Sequence, residues 1–505
     1  MNEPEILIIG AGVAGLSAGC YAQANGYSSL ILEMHSQPGG LCTAWQRKDY
    51  TFDYCIHWLV GSGKAHGFRK IWDFLGMIDD SIIIDPEIFQ TWRCSDGTEV
   101  HWYTDAGRLQ AHLEGLANNT GDRQAVAELS RWIRKMGTFI LMEPDFSPRG
   151  LRATFQSLPA LRVMREFQGR DWMSFAGRIT TPVLREAFTG FFAMEGFPLM
   201  AVLFTLGNLH AHNAGYPRGG SLPMAKRAEA TYRALGGSIT YNARVQEILV
   251  EHDRAVGVRC ADGSVIRARW IVSAADAHTV IHELLGGRYR DPEWDRAFAE
   301  LKPFPGPVQV SYGVRLDENR SGLCGFDLTS RASVISLPLH RPLTLEGKPV
   351  MRVGLHHYAF DQAMGPAHGI PVTFLFAGDT AWWQDIARDQ TAYRAEKERL
   401  ARDLAASIDA EIPGFAARIE AIDVATPLTN IRYTGNWQGA QEGFMMGERP
   451  DMALPATLPG LANFRLAGQW LFPGGGLPPS AKSGRDAIKT ICRAEHRRFR
   501  DSRPT

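Results

Sequence analysis

The chain has 505 residues, too many for one hydrophobic core, so its length predicts two or three packed domains. Hydrophobic residues make up 45% and charged residues 21% of the composition, which is ordinary for a globular protein. The 54 basic and 54 acidic side chains cancel, so no excess of positive charge points to nucleic acid as a partner. The seven cysteines include no C-x-x-C pair, which gives no sign of a zinc site or a redox dithiol.

Two features of the sequence bear on its location. The first residues lead directly into an apolar run, without the basic and cleavable segment of an exported protein, so a cytoplasmic location is expected. From Phe188 to Leu209 the chain is apolar and long enough to cross a bilayer, but Glu195 and Pro198 interrupt it. This pattern favours buried helices or an apolar substrate channel over a membrane-spanning helix.

The first elements in chain order predict a βαβ unit. A continuous apolar run, Glu5–Ile9, is typical of a strand that is buried on both faces. A helix of small residues follows to about Ala24, and a second strand covers Ser29–Glu33.

The rest of the chain alternates between helical and strand-rich stretches. Residues 106–214 have helical periodicity with large apolar faces. Turn and capping patterns define the later elements. These are a helix at 221–235, strands at 245–251, 255–259 and 265–273, a strong helix at 392–410, a strand at 464–468 and a final helix to about 493.

A glycine motif lies at the turn between the first strand and the first helix. Gly10 suits the tight turn, Gly12 lets a pyrophosphate approach the backbone, and Gly15 permits close packing of helix on strand. The first helical turn, which contains Ala14, presents free N–H groups to phosphates. Glu33 ends the second strand, where a carboxylate accepts hydrogen bonds from ribose hydroxyls. The motif therefore predicts a Rossmann-like dinucleotide-binding domain.

The glycine motif and Glu33 are followed by a second glycine pair, Gly39-Gly40, and then Leu41. In this combination the chain resembles the FAD-binding start of the amine oxidase and phytoene desaturase group. The segment 464–485, which contains Pro-Gly-Gly-Gly-Leu-Pro-Pro, is similar to the closing motif of the phytoene desaturase, carotenoid isomerase and retinol saturase family. Phe52-Asp53, Tyr216–Ser221 and Gly236–Val245 match the layout of that family.

The resemblance implies FAD as the cofactor. It implies that Gly39, Gly40 and Leu41 contact the cofactor and that Val245 contacts the adenine through its backbone. It also implies that Gly468 and Leu477 lie at the flavin ring.

The closing motif has a physical interpretation of its own. Pro478 and Pro479 suit the first turn of a helix. If this helix points at the flavin pyrimidine ring, its positive end stabilises the negative charge that develops there on reduction. The alternative is a loop that only caps the helix.

Similar segments at both ends and in the middle of the chain predict an α/β fold. In this fold a discontinuous Rossmann-like FAD-binding domain carries an inserted α+β substrate domain. The expected FAD-binding parts are 1–105, 215–288 and 456–498, with a helical substrate- or membrane-facing part at 106–214 and a sheet-and-helix part at 289–455.

The sequence offers weak candidates for catalysis. His57 follows Asp53 where desaturases usually have a glycine after the aspartate, and it either approaches the isoalloxazine ring or packs beside Trp58. Glu195 is either a buried acid with a raised pKa or part of a surface kink. His210 and His212 have no evident third ligand, so no metal site is expected.

The expected function is hydride transfer between a flavin and a carbon of a hydrophobic, polyene or isoprenoid substrate. Desaturation, saturation and double-bond isomerisation are all compatible with it. The alternatives are an amine-oxidase-type flavoenzyme and a flavin-binding protein without turnover. Peripheral membrane contact is a further expectation, because such substrates dissolve in lipid.

Overall fold

The computed structural model describes residues 3–64, 67–79, 82–139, 148–167, 169–192, 197–317, 322–323, 326–327, 332–445 and 453–503. Glu195 was predicted as a weak catalytic candidate and lies outside the described residues.

The strands of the described residues fall into two large sheets and several small ones. In chain order they are β1 (Ile6–Ile9), β2 (Ser29–Leu32), β3 (Ala44–Arg47), β4 (Tyr50–Asp53), β5 (Leu59–Val60), β6 (Ile83–Ile84), β7 (Ile88–Arg93), β8 (Glu99–Tyr103), β9 (Ala214–Pro217), β10 (Ser238–Thr240), β11 (Val245–Glu251), β12 (Arg254–Cys260), β13 (Val265–Arg267), β14 (Trp270–Ser273), β15 (Pro307–Arg315), β16 (Gly322–Leu323), β17 (Phe326–Asp327), β18 (Ala332–Leu345), β19 (Lys348–His357), β20 (Gly369–Ala377), β21 (Ile419–Ala425) and β22 (Phe464–Leu466).

The helices lie between and around these sheets. In chain order they are α1 (Val13–Ala24), α2 (Arg69–Leu75), α3 (Ala106–Leu116), α4 (Thr120–Met136), α5 (Pro148–Phe167), α6 (Trp172–Ala176), α7 (Pro182–Gly190), α8 (Leu199–His210), α9 (Ser221–Ala234), α10 (Ala277–Thr279), α11 (Pro292–Glu300), α12 (Thr380–Ile386), α13 (Gln390–Glu411), α14 (Pro427–Thr434) and α15 (Leu477–Ala494).

The first large sheet is parallel, with the strand order β10-β2-β1-β14-β22. All four residues of β1 and of β14 are buried, as expected for strands that are covered by helices on both faces. The sheet combines strands from the start, the middle and the end of the chain. It is therefore discontinuous, as the distribution of nucleotide-type segments predicted.

Helices α1 and α15 pack closely against each other. A Cβ atom on Gly484 would lie 2.1 Å from the carbonyl oxygen of Ala14, so only glycine allows the helices this near. The hydroxyl of Ser17 donates to the carbonyl of Ala481 at 2.6 Å. The last helix of the chain is thereby held against the first.

The second large sheet has seven strands in the order β21-β15-β20-β19-β18-β7-β8. One face packs on α13 through a cluster of buried aliphatic and aromatic side chains. Helices α3 to α8 form a separate apolar layer that packs on Trp92 and Trp102 of β7 and β8. The described residues of the stretch Phe188–Leu209 belong to this layer, with Pro198 at the start of α8. No helix in the described part of the chain is both long and apolar enough to cross a membrane.

Two sequence predictions differ from the structure. The boundary at residue 105 placed β7 and β8 with the nucleotide-binding segments, but both strands belong to the seven-stranded sheet, where β7 pairs with β18. The predicted single strand 265–273 is two strands in different sheets. β13 pairs with β12, whereas β14 pairs with β1 and β22, and the chain changes partner at Ala268-Arg269. Both errors arise because strand pairing is set by contacts far apart in sequence.

The packing of α1 on α15 can be tested with Gly484→Ala. The added methyl group meets backbone atoms of Ala14 and Ala18, so we expect a loss of about 1–3 kcal/mol in the free energy of unfolding. Gly115→Ala in α3 is the matched control, because a Cβ there meets no atom within 4 Å, and its stability should be unchanged or slightly higher. Urea denaturation measures both. Equal stability of the two variants would contradict the close helix contact.

Candidate functional site

A cavity of about 290 Å³ lies at the carboxyl ends of the parallel strands, where open α/β sheets bind ligands. Every residue that the sequence predicted to bind the cofactor lines it, except Gly15. These residues are Gly10, Gly12, Ala14, Glu33, Gly39, Gly40, Leu41, Val245, Gly468 and Leu477. Gly15 instead lies against the turn, since a Cβ there would be 1.9 Å from the carbonyl oxygen of Gly10, which matches its predicted packing role.

The glycines at the mouth of α1 leave room for a ligand. A Cβ on Gly12 would meet no described protein atom nearer than the carbonyl oxygen of Gly39, 4.0 Å away, and would project into the cavity. Gly12 is also the N-cap of α1 and provides no side-chain cap. The first N–H groups of the helix therefore remain available to an anion.

Glu33 lies in the wall of the same cavity. One carboxylate oxygen accepts from the N–H of Ala11 at 2.6 Å and the other from the N–H of His35 at 2.8 Å. Burial raises the pKa of Glu33, and these backbone hydrogen bonds oppose the rise. A carboxylate has further lone pairs, so Glu33 can still accept from a ribose hydroxyl while it holds the glycine turn in place.

The start of α15 forms the opposite wall. Gly468 has a φ of +129°, and its N–H donates to the hydroxyl of Ser483 at 2.8 Å. Gly476 is the N-cap of α15 and has no side-chain cap, while Leu477 and Ser480 line the cavity. The positive end of this helix is therefore directed at the cavity.

These observations fit the cofactor that the sequence implied. A dinucleotide site needs hydrogen-bond donors for the phosphates and an acceptor for a ribose. The cavity provides both, with two uncapped helix N-termini, glycines whose places a Cβ would fill, and a buried carboxylate. FAD would be held by Gly12, Ala14 and Gly40 at its phosphates and by Glu33 at a ribose.

Beyond the cavity, Asp53 joins three distant parts of the chain. Its carboxylate accepts from the N–H groups of Cys55 and Ile56 and from the N–H and hydroxyl of Ser221, at 2.5–3.0 Å. The amide of Gln309 donates to its backbone carbonyl at 3.0 Å. Burial raises the pKa of Asp53 in spite of these bonds. Because Ser221 begins α9, the carboxylate also faces the positive end of that helix.

Two cysteines connect Asp53 to the cofactor cavity. The antiparallel pairing of β3 and β4 ends at Ala44 and Asp53, and the N–H of Tyr54 continues the ladder to the carbonyl of Thr43. Cys42 and Cys55 are the next opposed residues, and the Cys42 thiol donates to the carbonyl of Ser221 at 3.5 Å. The neighbouring Cys42 thiol and burial raise the pKa of Cys55. Cys42 also lines the cavity.

Glu442 lies near the site and was not predicted from the sequence. It is half-buried within electrostatic range of Cys55, and burial raises its pKa to about 7. Its backbone packs on the loop before α15, where a Cβ on Gly475 would be 1.6 Å from the carbonyl oxygen of Glu442. The only sequence signal is a glutamate in a glycine-containing loop, and such a signal does not indicate burial.

His57 lies on the far side of Cys55 and does not line the cofactor cavity. Its ring centroid is 4.6 Å from that of His356 and 6.3 Å from that of Trp58. Burial lowers the pKa of His57 to about 4, so the imidazole is neutral near pH 7. A neutral imidazole can donate or accept a hydrogen bond at this position.

The remaining histidine candidates lie elsewhere. His210 is 3.6 Å from Asp105 at the end of α8, and His212 is 3.3 Å from Asp85 on the surface. Within the described residues, no group of three His, Cys, Asp or Glu side chains has the arrangement of a metal site.

Comparison with known sequences gives matches at both the domain and the whole-chain level. The NAD(P)-binding Rossmann-like domain matches residues 8–75. A prolycopene isomerase of Daucus carota is 22% identical, with 96% of this chain and 79% of that protein covered. A phytoene desaturase of a Paracoccus species is 22% identical, with 94% of both chains covered. A Danio rerio protein named inactive all-trans-retinol 13,14-reductase is 27% identical over 64% of this chain, and the match spans just over half of that protein, 56%.

Solved structures share the fold at lower identity. An oxidoreductase from Methanosarcina mazei has a TM-score of 0.61 at 15% identity, with 96% of this chain and 99% of that chain covered. Cyclohexylamine oxidase from Brevibacterium oxydans has a TM-score of 0.57 at 14% identity, with 98% and 100% covered. The resemblance found in the motifs is thus confirmed: the chain is a mixed α/β protein with a Rossmann-like domain and a relative of the phytoene desaturases, prolycopene isomerases and retinol reductases.

Proposed function

We propose that the protein is an FAD-dependent oxidoreductase that acts on carbon–carbon bonds of a hydrophobic polyene or isoprenoid substrate. One observation carries the proposal: the residues predicted to bind FAD, except Gly15, line a single cavity. The chain around that cavity is related over nearly its whole length to proteins named phytoene desaturase and prolycopene isomerase. Desaturation, saturation and isomerisation all remain within the proposal.

The domain roles form part of the same proposal. The parallel sheet, with segments from the predicted parts 1–105, 215–288 and 456–498, binds FAD. The seven-stranded sheet and the helical layer, from 106–214 and 289–455 together with β7 and β8, form the inserted substrate domain. Support comes from the hydrogen bond that Gln309 of the seven-stranded sheet donates to Asp53 in the hairpin of β3 and β4.

A series of aromatic side chains, the aromatic row, extends from Trp58 into the helical layer. Trp58 lies 5.2 Å from Phe89 between ring centroids, and Phe89 lies 6.2 Å from Phe192. Phe192 in turn stacks on Phe197 at 4.9 Å. Such a row offers the apolar surface that a long hydrophobic substrate needs.

The chain's own residues would support the chemistry around the cofactor. FAD, when bound, supplies hydride transfer. The positive end of α15 stabilises negative charge that develops beside it. Glu442, with its pKa near 7, can hold or release a proton close to neutral pH, as a general acid or base must. His57 and the aromatic row position the substrate and exclude water.

The proposed function is tested by the absorption spectrum of the purified protein before and after anaerobic addition of polyenes. We expect flavin bands, and we expect a polyene either to bleach them or to reoxidise the flavin after chemical reduction. Gly12→Ala serves as the cofactor control, because its methyl group enters the cavity without touching the rest of the fold. It should bind FAD at least ~10-fold more weakly, a loss of about 1.4 kcal/mol, with an unchanged melting temperature of the apoprotein.

Three results would contradict the proposal in different ways. Flavin that only amines reduce would favour an amine-oxidase-type enzyme. Flavin that no donor or acceptor can cycle would favour a binding protein without turnover. Failure to take up FAD on reconstitution would remove the cofactor itself.

The role of Glu442 can be tested through stability. Because the folded protein holds the proton up to about pH 7 and the unfolded chain releases it near 4.5, rising pH destabilises the wild type across this window. Glu442→Gln removes the effect. The free energy of unfolding of the variant should therefore exceed that of the wild type by up to roughly 3 kcal/mol at pH 8 and by almost nothing at pH 4.5. Glu398→Gln, at an exposed position of α13, is the control and should show no such trend. A pH-independent difference for Glu442→Gln would argue against a buried, protonated carboxyl group.

Peripheral membrane contact is a further part of the proposal. Phe155, Leu158 and Leu161 are spaced three residues apart on α5 and are 70%, 41% and 42% exposed, with Arg162 also exposed beside them. An apolar face with a basic neighbour suits the surface of an anionic bilayer.

We expect the protein to float with anionic liposomes in a density gradient. The double variant Phe155→Ser, Leu158→Ser should reduce the floating fraction at least ~3-fold, because it removes apolar side chains that would enter the bilayer. Met351→Ser, which changes an exposed methionine of β19 (59% exposed), should not. Recovery of all wild-type protein in the soluble fraction would refute the contact.

A further inference from the structure

One face of the seven-stranded sheet is polar where it meets the cofactor-binding region. Ser311 of β15, Thr373 of β20 and His356 of β19 are direct cross-strand neighbours, so their side chains share that face. The alternate residues of the same strands, such as Val310 and Phe374, point the other way into the apolar core against α13.

Hydrogen bonds tie this polar face to the site. The hydroxyls of Ser311 and Thr373 are 3.1 Å apart, and the amide of Gln309 donates to Ser311 at 3.1 Å. The same amide group donates to the backbone of Asp53, the residue that leads to Cys55 and the cofactor cavity. We call Gln309, Ser311, Thr373, His356 and Tyr358 the polar row.

Three atoms of the polar row are buried without a hydrogen-bond partner among the described residues. They are the amide oxygen of Gln309, Nδ1 of His356 and the hydroxyl of Tyr358. A buried polar group without a hydrogen-bond partner destabilises the fold. A ligand that carries oxygen can satisfy these atoms, whereas a pure hydrocarbon cannot.

The polar row lies beside partly accessible side chains. The ring centroids of His356 and His57 are 4.6 Å apart, and both side chains keep some accessible surface although protein surrounds them. His57 precedes Trp58, the first residue of the aromatic row that extends into the helical layer. The region around these histidines therefore has a polar end at the row and an apolar extension away from it.

The electrostatics of this polar end favour a neutral group. Burial lowers the pKa of both His57 and His356, so both imidazoles are neutral near pH 7. The carboxyl groups that act electrostatically on Tyr358 are those of Asp53 and Asp361, and in their charged form they would repel a carboxylate. A hydroxyl both donates and accepts, and so matches an amide oxygen, a ring nitrogen and a phenol together.

We propose that the polar row binds a neutral hydroxyl at the end of the hydrophobic substrate, so that the substrate is an oxygen-bearing isoprenoid rather than a hydrocarbon. The proposal rests on the proposed function, since it specifies the substrate of the same site. The polar row would then determine which end of a long apolar substrate binds at this position.

The test compares probes that share one polyene and differ only at the end group. All-trans-retinol carries CH₂OH, and its analogues carry CH₃, COOH or CH₂NH₂. Binding to the flavin-loaded protein is measured by equilibrium fluorescence titration, which requires no turnover. We expect the alcohol to bind at least ~10-fold more tightly than the hydrocarbon and the acid, the range that one satisfied buried group gives.

Variants assign the preference to the polar row. Tyr358→Phe removes only a hydroxyl, and His356→Phe removes the ring nitrogens. Each should reduce the alcohol-to-hydrocarbon ratio to below ~3-fold. His278→Phe is the matched control, because His278 also has an unpartnered buried Nδ1 but stacks on Trp437 at 4.5 Å, outside the polar row. It should keep the wild-type ratio. If His356→Phe does not fold, Tyr358→Phe alone decides.

Equal affinity for alcohol and hydrocarbon, or a ratio that Tyr358→Phe leaves unchanged, would overturn the inference. Tightest binding of the acid or the amine would overturn it as well. None of these results affects the proposed function, which depends on whether polyenes change the redox state of the flavin. Absence of binding by every probe would overturn the inference too, and the redox experiment would then decide the proposed function separately.

Discussion

The buried carboxyl group of Asp53 is the constraint on which the arrangement of the site depends. Removal of a carboxylate from water is costly unless hydrogen bonds replace the lost hydration. Here the replacements come from Cys55, Ile56 and Ser221, while Gln309 binds the adjacent carbonyl. Since these donors belong to the N-terminal hairpin, the start of α9 and the large sheet, satisfying one carboxylate fixes the relative positions of three elements. The cofactor cavity and the polar row thereby keep a constant separation.

The parts of the fold that sequence reasoning predicted are those set by local chemistry. The turn at Gly10, the uncapped helix at Gly12 and the acid at Glu33 follow from residues that are neighbours along the chain. The same holds for the start of α15 at Leu477, where glycines precede prolines. A backbone that must approach a phosphate closely needs particular residue types at particular spacings. For this reason the predicted cofactor residues converge on one cavity.

The parts that it missed are set by contacts between distant segments. The change of partner at Ala268 depends on whether β12 or β1 is the nearer strand, and no local pattern encodes that choice. The loop before α15 covers Glu442. His356 and His57 are far apart in the chain and come together only in the folded structure. Sequence motifs consist mainly of glycines and short repeats. Isolated acids and histidines that tertiary packing brings together match no such motif.

The order of strands in the parallel sheet has a consequence for how the chain acquires its structure during synthesis. β22 and α15 come from residues 464–494, yet they pack on β14 and on α1, which emerge from the ribosome far earlier. The face of α1 around Ala14, Ser17 and Ala18 therefore stays uncovered by α15 while roughly 450 further residues are made. A nascent chain in this state exposes apolar surface and an unpaired strand edge, both of which favour aggregation. Slow elongation or early release of the chain would thus prolong this exposed state more than in a protein whose sheet is built from consecutive strands.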